Sequence, residues 1–329
     1  MQRASLLAGG LALGGGLALL VAAGPEPPAA APPAAAPAAA PAAPQDAPAG
    51  DAFTLDGWPM DAAATRGRAV YVRNCLGCHG DEGLGDGAVA DMLDPRPRNF
   101  QAGNFKFRST PSGELPTVDD VKHVVRCGLQ GSAMRSFPLM PERELEDVAR
   151  YVISLAEFGL VKRDVDYELD GEPFSSLDPE DYVEIRDEAL LTAHEADWAV
   201  PVEPAPEFDE ESVELGRELY EAQCVACHGA SGMGDGSSSF HLRDWKDTKV
   251  VPRDFTTGIF RAGSTPRDIF LRLRTGLNGT PMPAVYGSDE DLWHIVHFIQ
   301  SVQEPDRVVR PHPASCDAHA RSALPGDQP

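Results

Sequence analysis

Two copies of one helical unit, in tandem, are what this 329-residue sequence predicts, and three observations carry the prediction. A short motif recurs: "NCLGCHGDEGLGDG" at 74–87 and "QCVACHGASGMGDG" at 223–236 share Cys-x-x-Cys-His at one offset of 149 residues. Such a repeat decides the architecture before any fold is guessed. Each copy is closed by a segment with helical apolar spacing, "ELEDVARYVISL" at 144–155 and "DLWHIVHFIQSV" at 291–302. Nothing around the first motif alternates apolar and polar in the two-residue period of a strand.

The chain opens with "MQRASLLAGGLALGGGLALLVAAG", an Arg-bearing start followed by apolar and small residues. That is the form of an export signal, with Val21-Ala22-Ala23 as the cleavage site. Residues 4–23 are also just long enough to stay as a membrane anchor, so cleavage and retention both remain open. Residues 24–59 are an Ala/Pro-rich tether, semi-rigid and without a core of its own.

The first domain is expected over 60–158. It starts with a helix around Gly67 to Cys75, whose apolar positions include Val70 and Tyr71. Its closing helix presents Leu145, Val148, Tyr151, Val152 and Leu155 on one face, the spacing of an amphipathic helix. An acidic linker follows over 159–209. The wider interval 156–212 holds 19 Asp/Glu against 3 Lys/Arg, most of the chain's net charge of −23. Such a surface repels nucleic acid and anionic lipid and steers a basic partner in a salt-sensitive way. The second domain is expected over 210–304, with Leu292, Ile295, Phe298, Ile299 and Val302 repeating the closing face. Residues 305–329 form a flexible tail.

Three chemistries compete for Cys75, Cys78 and His79. A thioredoxin-like dithiol needs a βαβ setting that is missing here. A zinc site of four cysteines needs pairs about 15–20 residues apart. Here Cys224, Cys227 and His228 lie in a separate repeat. Covalent haem uses all three residues: two thiols form thioethers and the next imidazole ligates iron. Two copies in an exported chain select it.

A sixth ligand is also repeated. Residues 128–134, "GLQGSAM", align with 276–282, "GLNGTPM", placing Met134 and Met282 at equivalent positions. Met140 competes in the first repeat but has no counterpart. A thioether ligand raises the potential and fills the coordination sphere, which suits one-electron transfer. "PRNF" at 97–100 matches "PRDF" at 252–255. A carbonyl of this loop is expected to accept the proximal imidazole N–H. Arg98 and Arg253 pair with haem propionates or lie on the surface, and Phe100 and Phe255 pack near the macrocycle.

The remaining candidates carry less. His294 and His297 align with Asp147 and Arg150, so both are expected on the wet face. His123 reads as packed or half-buried, and no signal lifts His194, His241, His312 or His319. Cys127 aligns with Thr275, which implies a small buried side chain; a Cys127–Cys316 disulfide is the less favoured alternative. The insertions "KFRSTPSGELP" at 106–116 and "FHLRDWKDTKVV" at 240–251 read as surface loops or as different partner faces.

With these residues in place, each repeat resembles a class I c-type cytochrome domain, over roughly 60–158 and 210–304. The resemblance implies an all-α fold, terminal helices crossing near Gly67/Tyr151 and Gly216/Phe298, two covalently attached haem c groups, and His79/Met134 and His228/Met282 as axial pairs. The implied function is an exported di-haem electron carrier working between respiratory redox proteins. A haem-bearing subunit of a membrane respiratory complex is the alternative. Less favoured is a di-haem enzyme of peroxidase type, which needs an open sixth position, or of thiosulfate-oxidising type, which needs a cysteine ligand and so brings Cys127 into question.

Overall fold

The computed structural model describes residues 51–195 and 199–304. The export signal, nearly all of the tether, the tail and Cys316 lie outside the described residues. Within them the chain is helical, with one isolated antiparallel bridge, Arg243 to Lys249, and no strand. None of these helices is long and apolar enough to cross a membrane.

Each repeat folds as a three-helix unit with a one-turn helix at its motif. In the first, α1 (Ala62–Asn74) runs into α2 (Leu76–His79), followed by α3 (Val118–Cys127) and α4 (Glu142–Leu169). Local sequence fixes the starts. Asp61 accepts from the Ala64 amide at 2.6 Å, and Thr117 and Asp120 close a capping box at α3. Both devices satisfy amide donors that a helix N-terminus leaves unpaired. Helices α1 and α4 cross at Gly67, where a Cβ would overlap the Asp147 carbonyl oxygen. Tyr71 and Tyr151 pack beside the crossing at 5.1 Å between ring centres. The expected closing face, from Leu145 to Leu155, is buried throughout.

The second repeat rebuilds this plan with α6 (Glu210–Gln223), α7 (Val225–His228), α8 (Pro266–Thr275) and α9 (Asp289–Ser301). Gly216 meets the His294 carbonyl as Gly67 meets Asp147. Tyr220 and Phe298 pack at 4.8 Å.

The expected acidic linker requires correction. Helix α4 does not stop near residue 158 but continues to Leu169. The chain turns at Asp170 and Gly171, both with positive φ, and returns as α5 (Pro179–Ala193). This hairpin has its own apolar core: Phe158, Val161, Val165, Phe174 and Tyr182 close around Phe53 and Trp58, so the end of the expected tether is packed against the first domain and not free of it. Trp58 donates from Nε1 to Ser154 Oγ at 3.0 Å. The acidic residues keep the outer face, where Glu168, Glu172, Glu180, Asp181, Glu184 and Glu188 are exposed. Residues 199–209 carry no helix or strand. There the Val200 amide donates to Ser109 O at 2.7 Å, and Trp293 Nε1 donates to Glu203 O at 2.9 Å.

The 106–116 insertion is likewise no surface loop. Arg108, Ser109, Thr110, Glu114 and Leu115 are buried, and the segment lies against the second repeat.

Candidate haem sites

Helical geometry explains the spacing of the motif. Cys75 begins a single turn in which the Cys78 and His79 amides both donate to Cys75 O, at 3.1 and 2.9 Å. Positions i, i+3 and i+4 fall on one face, so both thiols and the imidazole are presented together. Cys224, Cys227 and His228 repeat the turn at 3.1 and 2.9 Å. All four cysteines are free and half-buried. Burial, then the neighbouring cysteine, pushes the Cys75 and Cys224 thiols up to about 11. A redox dithiol has the opposite property, a depressed pKa, so the structure gives that chemistry no support.

The turn is locked from beneath. Tyr71 Oη donates to Gly80 O and Tyr220 Oη to Gly229 O, both at 2.7 Å. Gly80 and Gly229 hold φ near +80°, a region that favours glycine. A Cβ at either would overlap the carboxylate of Asp86 or Asp235, which accounts for the repeated Gly-Asp-Gly.

Each imidazole is oriented by the loop the sequence singled out, through its arginine carbonyl. His79 Nδ1 lies 3.1 Å from Arg98 O, and His228 Nδ1 lies 3.4 Å from Arg253 O. A carbonyl only accepts, so Nδ1 carries the proton and Nε2 is left as the lone-pair atom. Burial lowers both histidine pKa values, and the carbonyl bond opposes this in part. Phe100 stacks on His79 and Phe255 on His228, each at 4.5 Å. Phe105 and Phe260 stack behind them. This second pair was missed at the level of sequence, although the shared spacing Phe-x-x-Gly-x-Phe at 100–105 and 255–260 signals it.

The two methionine loops have one backbone design. Gly128 and Gly276 end α3 and α8 at φ 69° and 66°. The Leu129 amide donates to Met134 O at 2.9 Å and the Leu277 amide to Met282 O at 3.0 Å, closing each loop. Ser132 and Thr280 hydroxyls accept from the Met134 and Met282 amides, both at 3.2 Å. Met134 and Met282 are half-buried. Met140 packs into the first core, to which Met134 does not belong, so Met140 has a structural role of its own.

Buried cations test whether haem fits here. Arg98, Arg253, Arg261 and Arg272 all have pKa values lowered by desolvation, and burial brings Lys106 down to about 8. The charge of Asp244 in the second repeat offsets part of this cost at Arg98 and Lys106 of the first. Arg261 Nε and both Nε and Nη1 of Arg272 are buried without a partner. Buried charges normally carry counter-charges. Haem carries two carboxylates, which supply what these guanidinium groups lack, so the residues fit the group.

Other expectations need adjusting. His297 is buried, not on the wet face, and His294 is half-buried. Ser212 Oγ lies 2.6 Å from Nδ1 of each, and Phe208 packs edge-on against His297 at 5.0 Å. His194 pairs with Glu157 at 2.9 Å, and His123 is half-buried as expected. Cys127 is buried, as expected, but it is also disulfide-bonded, the alternative that the sequence favoured less. A disulfide sulfur is no thiolate ligand, which removes the ground for a cysteine-ligated haem.

Comparison with known proteins agrees with this geometry. Residues 213–303 match the family model "Cytochrome c", and residues 62–152 match "Cytochrome C oxidase, cbb3-type, subunit III". No curated protein matches. Among solved structures, a chain of a reducing HAO-like protein complex from Kuenenia stuttgartiensis is 32% identical, with a TM-score of 0.59. The match covers 75% of this chain and 98% of that one. With two family matches falling on the two repeats and a structural relative that spans three quarters of the chain, this chain belongs to the c-type cytochromes, as a tandem di-domain member that binds haem covalently.

Proposed function

We propose that the chain is a di-haem electron carrier that moves single electrons between respiratory redox proteins outside the cytoplasm. One haem c is attached at Cys75 and Cys78, the other at Cys224 and Cys227. His79 and Met134 would ligate the iron of the first, and His228 and Met282 that of the second. Bound haem supplies a one-electron Fe(III)/Fe(II) couple. The chain's own residues hold that couple closed and oriented. The Arg98 and Arg253 carbonyls fix the imidazole tautomer, Phe100 and Phe255 exclude water from the histidine side, and the matched loops present the thioethers. Arg98, Arg253, Arg261 and Arg272 would supply the cations that offset the propionate charge.

The observation that carries this reading is the duplicated methionine loop. Both repeats spend the same glycines and the same hydroxyl turn on presenting a thioether, whereas a peroxidase-type enzyme needs one open site. Mass spectrometry of the mature chain tests it: two covalent haems are expected, with a start after Ala23. A single haem, or a chain retaining Met1, sinks the stoichiometry or the cleaved export respectively.

The exposed carboxylates of the α4–α5 hairpin fit a redox partner with a basic docking face. Electron transfer to such a partner should slow steeply with salt; salt-independent rates exclude this docking mode. A second reading, subunit of a larger oxidoreductase assembly, is favoured by the Kuenenia relative, which is itself a chain of a complex. Co-purification as a stable stoichiometric complex would select it.

A further inference from the structure

Arg108 belongs to the first domain, but its side chain ends in the second. It is 4% exposed. Nε donates to Pro111 O at 3.0 Å and Nη1 to Phe105 O at 3.3 Å, which fixes the head within its own loop. Nη2 then donates to Thr275 O at 2.8 Å, with Nη1 at 3.5 Å from Gly276 O. Thr275 is the last residue of α8 and Gly276 its C-cap. Helix C-termini leave carbonyls unpaired and carry the negative end of the helix dipole. A buried guanidinium is matched to that position in both charge and shape.

The capped point is the pivot of the methionine loop. From Gly276 the chain enters the ring closed by the Leu277 amide on Met282 O. The same first-domain arm touches the ring twice more: Ser112 Oγ and the Gly113 amide approach Asn278 Oδ1 at 3.4 and 3.3 Å. The reciprocal contact is thinner, a single bond from Arg261 Nη2 to Gly131 O at 3.3 Å. At the matching pivot of the first domain stands the disulfide-bonded Cys127.

We propose that Arg108 is a positioning residue for Met282, so that axial ligation in the second domain depends on a side chain of the first. The proposal rests on the reading of Met134 and Met282 as ligands. The coupling is one-sided, because the first-domain arm holds the second loop at Thr275, Gly276 and Asn278, whereas the reciprocal contact is the Arg261 bond to Gly131.

The test uses the full-length holoprotein and the near-infrared band that methionine–Fe(III) ligation produces. In a Met134→His background the band reports Met282 alone, and in Met282→His it reports Met134 alone. Added imidazole displaces the thioether, and its half-saturation concentration measures how firmly each loop holds. Arg108→Gln should lower that concentration on the order of tenfold in the first background and leave it unchanged in the second. Arg108→Lys keeps the charge but cannot fork to both carbonyls; it should give an intermediate effect in the same background only, and it replaces Arg108→Gln if that variant does not fold. Equal effects in both backgrounds, or none in either, overturn the proposal and leave Arg108 as an interface residue. If neither Met→His variant removes its share of the band, the methionine reading itself falls, and the proposal with it.

Discussion

The two haem domains agree where chemistry is done and differ where the chain packs. Histidine, carbonyl and phenylalanine recur at matching distances, 3.1 and 3.4 Å for the imidazole bond and 4.5 Å for both stacks. The tyrosine locks are identical at 2.7 Å. Around these constants the first domain adds a helical hairpin, a buried insertion and a disulfide-bonded cysteine at its loop pivot. The second adds the Ser212–His294–His297 cluster, which joins α6 to its closing helix. Duplication thus preserved what presents the haem ligands and left the supporting contacts free to diverge.

The comparison breaks most visibly if one motif is removed. Cys75→Ala with Cys78→Ala should leave a chain carrying one haem at Cys224 and Cys227, with an unchanged methionine band from that haem. Loss of both haems would mean the domains do not mature independently. A smaller effect is expected from Phe158→Ala, which empties the hairpin core beside Phe53 and Trp58. Deleting a buried aromatic costs about 3–5 kcal/mol. The first domain should melt earlier while the second holds, and an equal drop in both would show that the hairpin does not belong to the first domain.

Tyr71→Phe and Tyr220→Phe sharpen the likeness. Each removes one of two bonds to a carbonyl that keeps the Gly83 or Gly232 amide, a cost of about 0.5–1.5 kcal/mol, and the two losses measured in holoprotein melts should match. The smallest effect separates the domains by pH. Burial, then His294, lowers the pKa of His297 from its ordinary value of 6.5. The unfolded chain therefore binds this proton more readily, and the associated stability is complete above pH 6.5 and lost as pH falls through the folded pKa. His297→Gln should flatten the second domain's melting between neutral and mildly acidic pH. A slope that persists in the variant would assign it to another group.

What could be read from the sequence was whatever is local or repeated. One helical turn encodes the Cys-x-x-Cys-His face, and a glycine pivot with a hydroxyl turn encodes each methionine loop. Both therefore leave a spacing that can be aligned. The hairpin was missed because its few apolar residues are scattered in an acid-rich stretch. Their partners, Phe53 and Trp58, lie about a hundred residues upstream. His297 was assigned to the surface through its alignment with Arg150, yet what covers it is Phe208, from a segment without a counterpart. Arg108 gave no signal at all, since its acceptors are main-chain carbonyls, two in its own loop and two in the other domain.

The claim that both haems are closed, methionine-ligated one-electron centres is tested most directly by a spectroelectrochemical titration followed in the visible and the near infrared. The expected result is two one-electron waves per chain, low-spin spectra throughout, and a methionine–iron band whose intensity corresponds to two haems. A high-spin fraction that binds peroxide, or a band accounting for one haem only, would contradict it.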